Sequence, residues 1–144
     1  MVLKTGSYIG IGFGDVTSKG TDMIMCNSIG IGVGECSDMH SVWVDMANPP
    51  QKDTQQDLFT WFEAGSGAQE GLTIATMYRD LDTGDEHDFV IPLDTIFTVA
   101  WSIKEDGVEL DGHHTQRAKD VTLLVPLSGA VTTFSYPTEV MVVQ

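Results

Sequence analysis

Two adjacent histidines, His113 and His114, follow the turn-type pair Asp111-Gly112. Imidazole is largely neutral at neutral pH and is a common metal ligand, so His113 is a candidate metal-ligating residue. Successive residues of an extended segment point to opposite faces, so one ring can enter a pocket only while the other meets solvent. A surface histidine doublet on an acidic protein is the other account that chemistry alone allows. Asp80, Asp82, Asp85, Glu86 and Asp88 crowd one expected hairpin around Gly84. They offer hard oxygen ligands for Ca²⁺, although their spacing departs from the EF-hand loop; a solvated turn is the alternative. His87 lies within that cluster and His40 beside Met39, but no zinc-type spacing links them. Cys26 and Cys36 form either a short disulfide loop, in an oxidising compartment, or two buried thiols. The chain holds no Gly-x-Ser-x-Gly elbow, no His-Glu-x-x-His and no Cys-His nucleophile pattern, so it is not expected to be an enzyme by itself.

These groups need a scaffold, and the chain spells one in short β-rich runs. Strands are predicted over residues 7–13, 22–26, 29–33, 41–46, 72–78, 88–91, 97–103, 121–127 and 139–143, separated by turn-type residues at spacings typical of an all-β sandwich or barrel. Thr83-Gly84-Asp85 and Asp106-Gly107 read as hairpin turns, and Asn48-Pro49-Pro50 as a break. Residues 55–62 fit either a helix or a strand, because short apolar runs do not separate the two. A near-repeat, Ile9-Gly10-Ile11-Gly12-Phe13-Gly14, returns as Ile29-Gly30-Ile31-Gly32-Val33-Gly34. As strands, both copies would present a bare glycine face, used either for tight sheet packing or as a slot for a planar ligand. Neither copy matches the Gly-x-Gly-x-x-Gly nucleotide fingerprint.

The length, 144 residues, suits a single domain spanning 1–144. A formal charge of −14, from 21 acidic and 7 basic side chains, opposes binding to nucleic acid and to anionic lipid. No apolar run approaches the roughly 20 residues of a membrane span, so no direct membrane span is expected. The first six residues also lack a signal peptide's apolar stretch.

Several of these motifs occur in an order that resembles the DOMON domains, β-sandwich modules of secreted and cell-surface proteins that hold a b-type haem or a sugar. The match runs from Tyr8-Ile9-Gly10-Ile11-Gly12-Phe13-Gly14 through Gly20-Thr21-Asp22, Pro49-Pro50, Asp53-Thr54 and Gln56-Asp57-Leu58. It continues through Arg79-Asp80-Leu81-Asp82-Thr83-Gly84-Asp85, Ala100-Trp101 and His113-His114-Thr115-Gln116-Arg117, covering roughly residues 8–125. The resemblance implies an antiparallel sandwich of about eight to ten strands. The family usually has strands before the glycine-rich one, and this chain begins almost on it. The chain is therefore either a piece of a longer protein or has an edge that a neighbouring subunit completes.

In haem-binding members a methionine shortly before the aspartate and a late histidine ligate the iron. His113 is the better match for that histidine, with His114 close behind. The methionine's place falls at about Ser18 or Lys19, and the nearest sulfurs are those of Met23 and Met25. One implied function is thus a haem b module for electron transfer within a larger extracellular or cell-surface assembly, with His113, His114, Met23 and Lys19 as candidate cofactor-binding residues. The alternative is a non-redox module that binds carbohydrate or other protein subunits. Trp43, Trp61, Trp101 and Tyr78 could then stack on sugar rings, although most are expected in the core.

Overall fold

A computed structural model describes residues 1–14, 19–42, 49–105, 116–124, 132–136 and 139–143, with backbone only for the last three ranges. Eleven strands occur among them: β1 (Val2–Leu3), β2 (Tyr8–Phe13), β3 (Asp22–Gly30), β4 (Val33–His40), β5 (Gln51–Lys52), β6 (Phe59–Ala64), β7 (Thr73–Tyr78), β8 (Ile96–Lys104), β9 (Gln116–Leu124), β10 (Thr132–Tyr136) and β11 (Glu139–Val143). They form a six-stranded sheet in the order β5-β4-β3-β2-β8-β9, a three-stranded sheet β1-β7-β6, and a β10-β11 hairpin. Every pairing is antiparallel. The expected all-β sandwich is the observed architecture.

Alternation along the strands decides which side chains meet between the sheets. Ile9 and Phe13 of β2 and Ile24 and Cys26 of β3 turn inward, where they pack with Leu3 and Ala75 of the smaller sheet and with Phe62 of β6. The opposite face of the large sheet carries a second cluster of Tyr8, Met23, Met25 and Met39. Cys26 and Cys36 are cross-strand partners on β3 and β4 and are joined by a disulfide.

The two glycine repeats have different fates. The first is β2, and there Met25 fills the space beside Gly10: a Cβ at Gly10 would lie 2.6 Å from the Met25 Sδ. The second is a hairpin turn, because β3 ends at Gly30 and β4 begins at Val33. Gly32 adopts φ +71° and approaches the Ala64 backbone so closely that a Cβ would sit 2.8 Å from its nitrogen. Its amide donates to Thr73 Oγ1 at 3.0 Å, which ties the hairpin to the smaller sheet. A predicted strand over 29–33 therefore gives way to a turn that a left-handed glycine makes possible.

Other boundaries also move. The ambiguous stretch 55–62 yields strand β6. Residues 88–91 form no strand, since the Phe89 amide and carbonyl are taken by the Asp22 and Arg79 side chains. The Thr83-Gly84-Asp85 turn lies in a crossover from the small sheet to the large one, where a hairpin was expected. Ser41 and Val42 are outside any strand, and the rest of the predicted 41–46 strand lies outside the described residues, as does the Asp106-Gly107 turn.

Candidate functional site

The outward face of the three-stranded sheet is aromatic. On β6, Phe59, Trp61 and Glu63 share one face by alternation. Their cross-strand partners on β7 are Tyr78, Thr76 and Ile74. The inward partners are accounted for by Phe62, Ala75 and Met77 in the core. Phe59 is 76% exposed, and Trp61 and Tyr78 are each 49% exposed. The Trp61 and Tyr78 rings stand 5.4 Å apart, tilted by 44°. Trp61 and Tyr78 are thus surface residues, against the expected core placement, because the strand register turns their side chains away from the large sheet. Trp101 sits opposite Ile11 in β8 and is half-buried. Trp43 lies outside the described residues.

A second site lies inside the sandwich, where the inward positions change from apolar to charged. Along β3 the inward series runs Cys26, Ile24, Asp22, and along β4 it runs Cys36, Asp38, His40. Asp22 and Asp38 are buried, at 2% and 0% exposure. Arg79, just past β7, reaches in with its Nη1 2.6 Å from Asp22 Oδ2. Its Nη2 donates to the Phe89 carbonyl at 2.6 Å, and its guanidinium lies 5.3 Å from the centre of the Phe13 ring. The Phe89 amide donates to Asp22 Oδ2 at 2.7 Å. His40 Nδ1 contacts Asp53 Oδ1 and its ring stacks on His87 with centroids 4.2 Å apart. Gln56 secures the edge of this cluster, accepting from the Asp38 amide at 3.0 Å and donating to the Asp38 and Asp53 carbonyls at 2.9 Å each.

Burial pushes the Asp22 carboxyl up, opposed by the Phe89 amide and the Arg79 guanidinium. The Asp38 carboxyl is pushed up to about 7 by burial first, then by the neighbouring Asp88 and Asp22 charges, with Arg79 acting against them and Asp53 adding to them. A carboxyl whose pKa is raised by folding holds a proton that the unfolded chain releases above its ordinary value of 3.8. That contribution is complete at low pH and disappears as the pH rises from about 4 through about 7. In a chelating buffer, urea midpoints should therefore fall between pH 5 and pH 8, and Asp38→Asn should flatten the slope. An unchanged slope in that variant would contradict this assignment.

The remaining residues singled out from sequence are dispersed. Lys19 is exposed on the rim of a pocket of about 270 Å³ that is also lined by Phe13, Gly20, Asp22, His87 and Asp88. Met23 is half-buried in β3, packed on the opposite sheet face against Tyr8, Met25 and Met39. His113, His114 and Ser18 lie outside the described residues. Of the acidic stretch, Asp80, Asp82 and Glu86 are exposed, and Asp88 alone joins the buried cluster.

Among the described residues Met25 occupies the space over Gly10, the pocket by Lys19 is lined by carboxylates and has no thioether, and a second pocket, beside Tyr8 and Met39, holds about 220 Å³. Sequence reading passed over Asp22, Asp38, Asp53 and Arg79 as a group because they are spread along the chain. Its one available signal was the appearance of aspartate at inward strand positions, where an apolar residue is the norm.

No helix among the described residues is long and apolar enough to cross a membrane. None of the curated proteins compared with the chain matches it. Among protein families, the DOMON domain matches residues 1–119. Its members are generally extracellular, typically modules of larger proteins, and take haem or sugar. With β1 to β8, the glycine-rich β2 among them, and the Asp22–Arg79 pair inside the matched span, the chain belongs to the DOMON domain family.

Proposed function

We propose that this chain is a non-catalytic recognition module of a larger extracellular protein and that it binds carbohydrate on the outward face of β6 and β7. The observation that carries this reading is the exposed row Phe59, Trp61 and Tyr78. Large aromatic side chains gain from burial, and a contiguous exposed group of them marks a surface that is covered in use. The C–H face of a pyranose is apolar and weakly electropositive, which suits the electron-rich faces of Trp61 and Tyr78. Thr76 and Glu63, on the same face, supply hydrogen-bonding groups for the hydroxyls around such a ring. The Cys26–Cys36 disulfide suits an oxidising, extracellular setting.

Glycan screening followed by calorimetric titration tests the reading. Trp61→Ala should weaken binding of the selected saccharide by at least about tenfold, as loss of a central aromatic contact does. Thermal stability should change little, because the side chain is half in solvent. Equal affinity in wild type and Trp61→Ala would remove the aromatic face from the site. A Soret band after haem reconstitution, abolished by His113→Ala, would replace this reading with the cytochrome one.

A further inference from the structure

We propose that Asp22, Asp38 and Asp88 bind a calcium ion inside the charged end of the sandwich. One carboxylate oxygen from each lies within 4.8 Å of the other two. Oxygens that share a Ca²⁺ at 2.3–2.6 Å are separated by at most about 5 Å, so a single ion can reach all three.

The hydrogen bonding around the cluster leaves oxygens for that ion. Asp22 commits Oδ2 to Arg79 and Phe89, and its Oδ1 is without a partner among the described residues. Asp88 commits Oδ2 to the Thr83 hydroxyl at 2.5 Å, and its Oδ1 is likewise unpartnered. Asp38 is the telling residue: it is fully buried, and neither of its carboxylate oxygens has a partner among the described residues. A buried carboxylate without donors is costly unless a cation or a proton meets it. The backbone clamp from Gln56 and Asp53 holds the Asp38 strand in place and keeps that side chain from turning out to solvent. Among the described residues Arg79 pairs with Asp22, and Lys19 stands exposed on the rim of the pocket that Asp22 and Asp88 also line, so a divalent ion offsets the carboxylate charge that the single buried guanidinium leaves uncompensated.

The ligand chemistry selects a hard ion. All three donors are carboxylate oxygens, the preference of Ca²⁺, and Asp38 has both oxygens available for bidentate binding. The neighbouring His40, Asp53 and His87 do not convert the site to zinc. One ligand atom from each of these also lies within 4.8 Å of the other two, but the two imidazole rings stack within 14° of parallel, which is not the tetrahedral approach that zinc takes.

Calorimetric titration of the chelator-treated full chain with CaCl₂ tests the proposal. One Ca²⁺ should bind per chain, with a dissociation constant of about 10⁻⁴–10⁻³ M, the range of extracellular modules. Asp38→Asn and Asp88→Asn should each weaken binding by about tenfold or more, while Asp82→Asn, in the exposed part of the same loop, should leave it unchanged. Asp38→Asn removes a buried charge and keeps the side-chain shape, so a folded variant is expected, and circular dichroism verifies it. Absence of both binding heat and a melting shift at about 10 mM CaCl₂ would overturn the proposal and leave a protonated Asp38 as the occupant of the gap. Retained affinity in both Asp38→Asn and Asp88→Asn, or loss in Asp82→Asn, would overturn it too.

Discussion

Replacing Arg79 with methionine should destabilise the protein by about 3–5 kcal/mol, the cost of removing one partner from a buried ion pair. The guanidinium is 4% exposed and its Asp22 partner 2% exposed, so water cannot replace the lost contact. The deletion strands more than one group. Asp22 loses its charged donor, the Phe89 carbonyl loses its Nη2 partner, and the Phe13 ring loses the cation above it. Four aspartates, at 22, 38, 53 and 88, would then face one another without a guanidinium among them. Urea unfolding at pH 7.5 measures the change, and a loss below about 1 kcal/mol would show that the pair is dispensable. Arg79→Lys should recover only part of the loss, because an ammonium cannot serve Asp22 and the Phe89 carbonyl in one planar fork.

Loss of the Cys26–Cys36 bridge should cost about 2–4 kcal/mol, chiefly by releasing the unfolded chain from a short closed loop. The bridge links neighbouring strands in the large sheet, and Cys26 is fully buried beside Ile24 and Leu3. Reduction therefore loosens the β3–β4 pair that carries Asp22 and Asp38. Comparing melting of the oxidised protein with a Cys26→Ala, Cys36→Ala double variant measures the effect. Equal melting temperatures would mean that the bridge adds nothing beyond the packing of its two side chains.

The strands that could be read from sequence were those with plain alternation or β-branched runs, such as β2, β7 and β8. Their observed bounds differ from the expected ones by a residue or so at each end, within the fraying usual at strand termini. The second glycine repeat misled because its apolar-glycine alternation is the same as in β2. Only the close approach of Gly32 to Ala64, a contact across about thirty residues of chain, makes it a turn. The aromatic face was half legible. Trp61 and Tyr78 were visible as sugar-stacking side chains, but their exposure depends on the β6–β7 register, which no local pattern encodes.

The charged cluster was least legible, for a similar reason. Asp88 was noticed among its acidic neighbours in a loop, whereas the residues it meets come from β3 and β4. Arg79 and Asp22 are 57 residues apart. Such a cluster is assembled by sheet pairing and a crossover loop, so local spacing rules for metal loops could not find it. The glycine face of β2 was legible only as two alternatives, tight sheet packing or a slot, and a methionine from the next strand fills the space in favour of packing.

The most direct test of the carbohydrate-binding account is a two-dimensional NMR titration of the isotope-labelled protein with the saccharide selected by screening. The expected result is a set of concentration-dependent shifts at the Trp61 indole and at amides of β6 and β7, absent in Trp61→Ala. Shifts confined instead to residues around Lys19 and His87, or no shifts at saturating saccharide, would contradict the account.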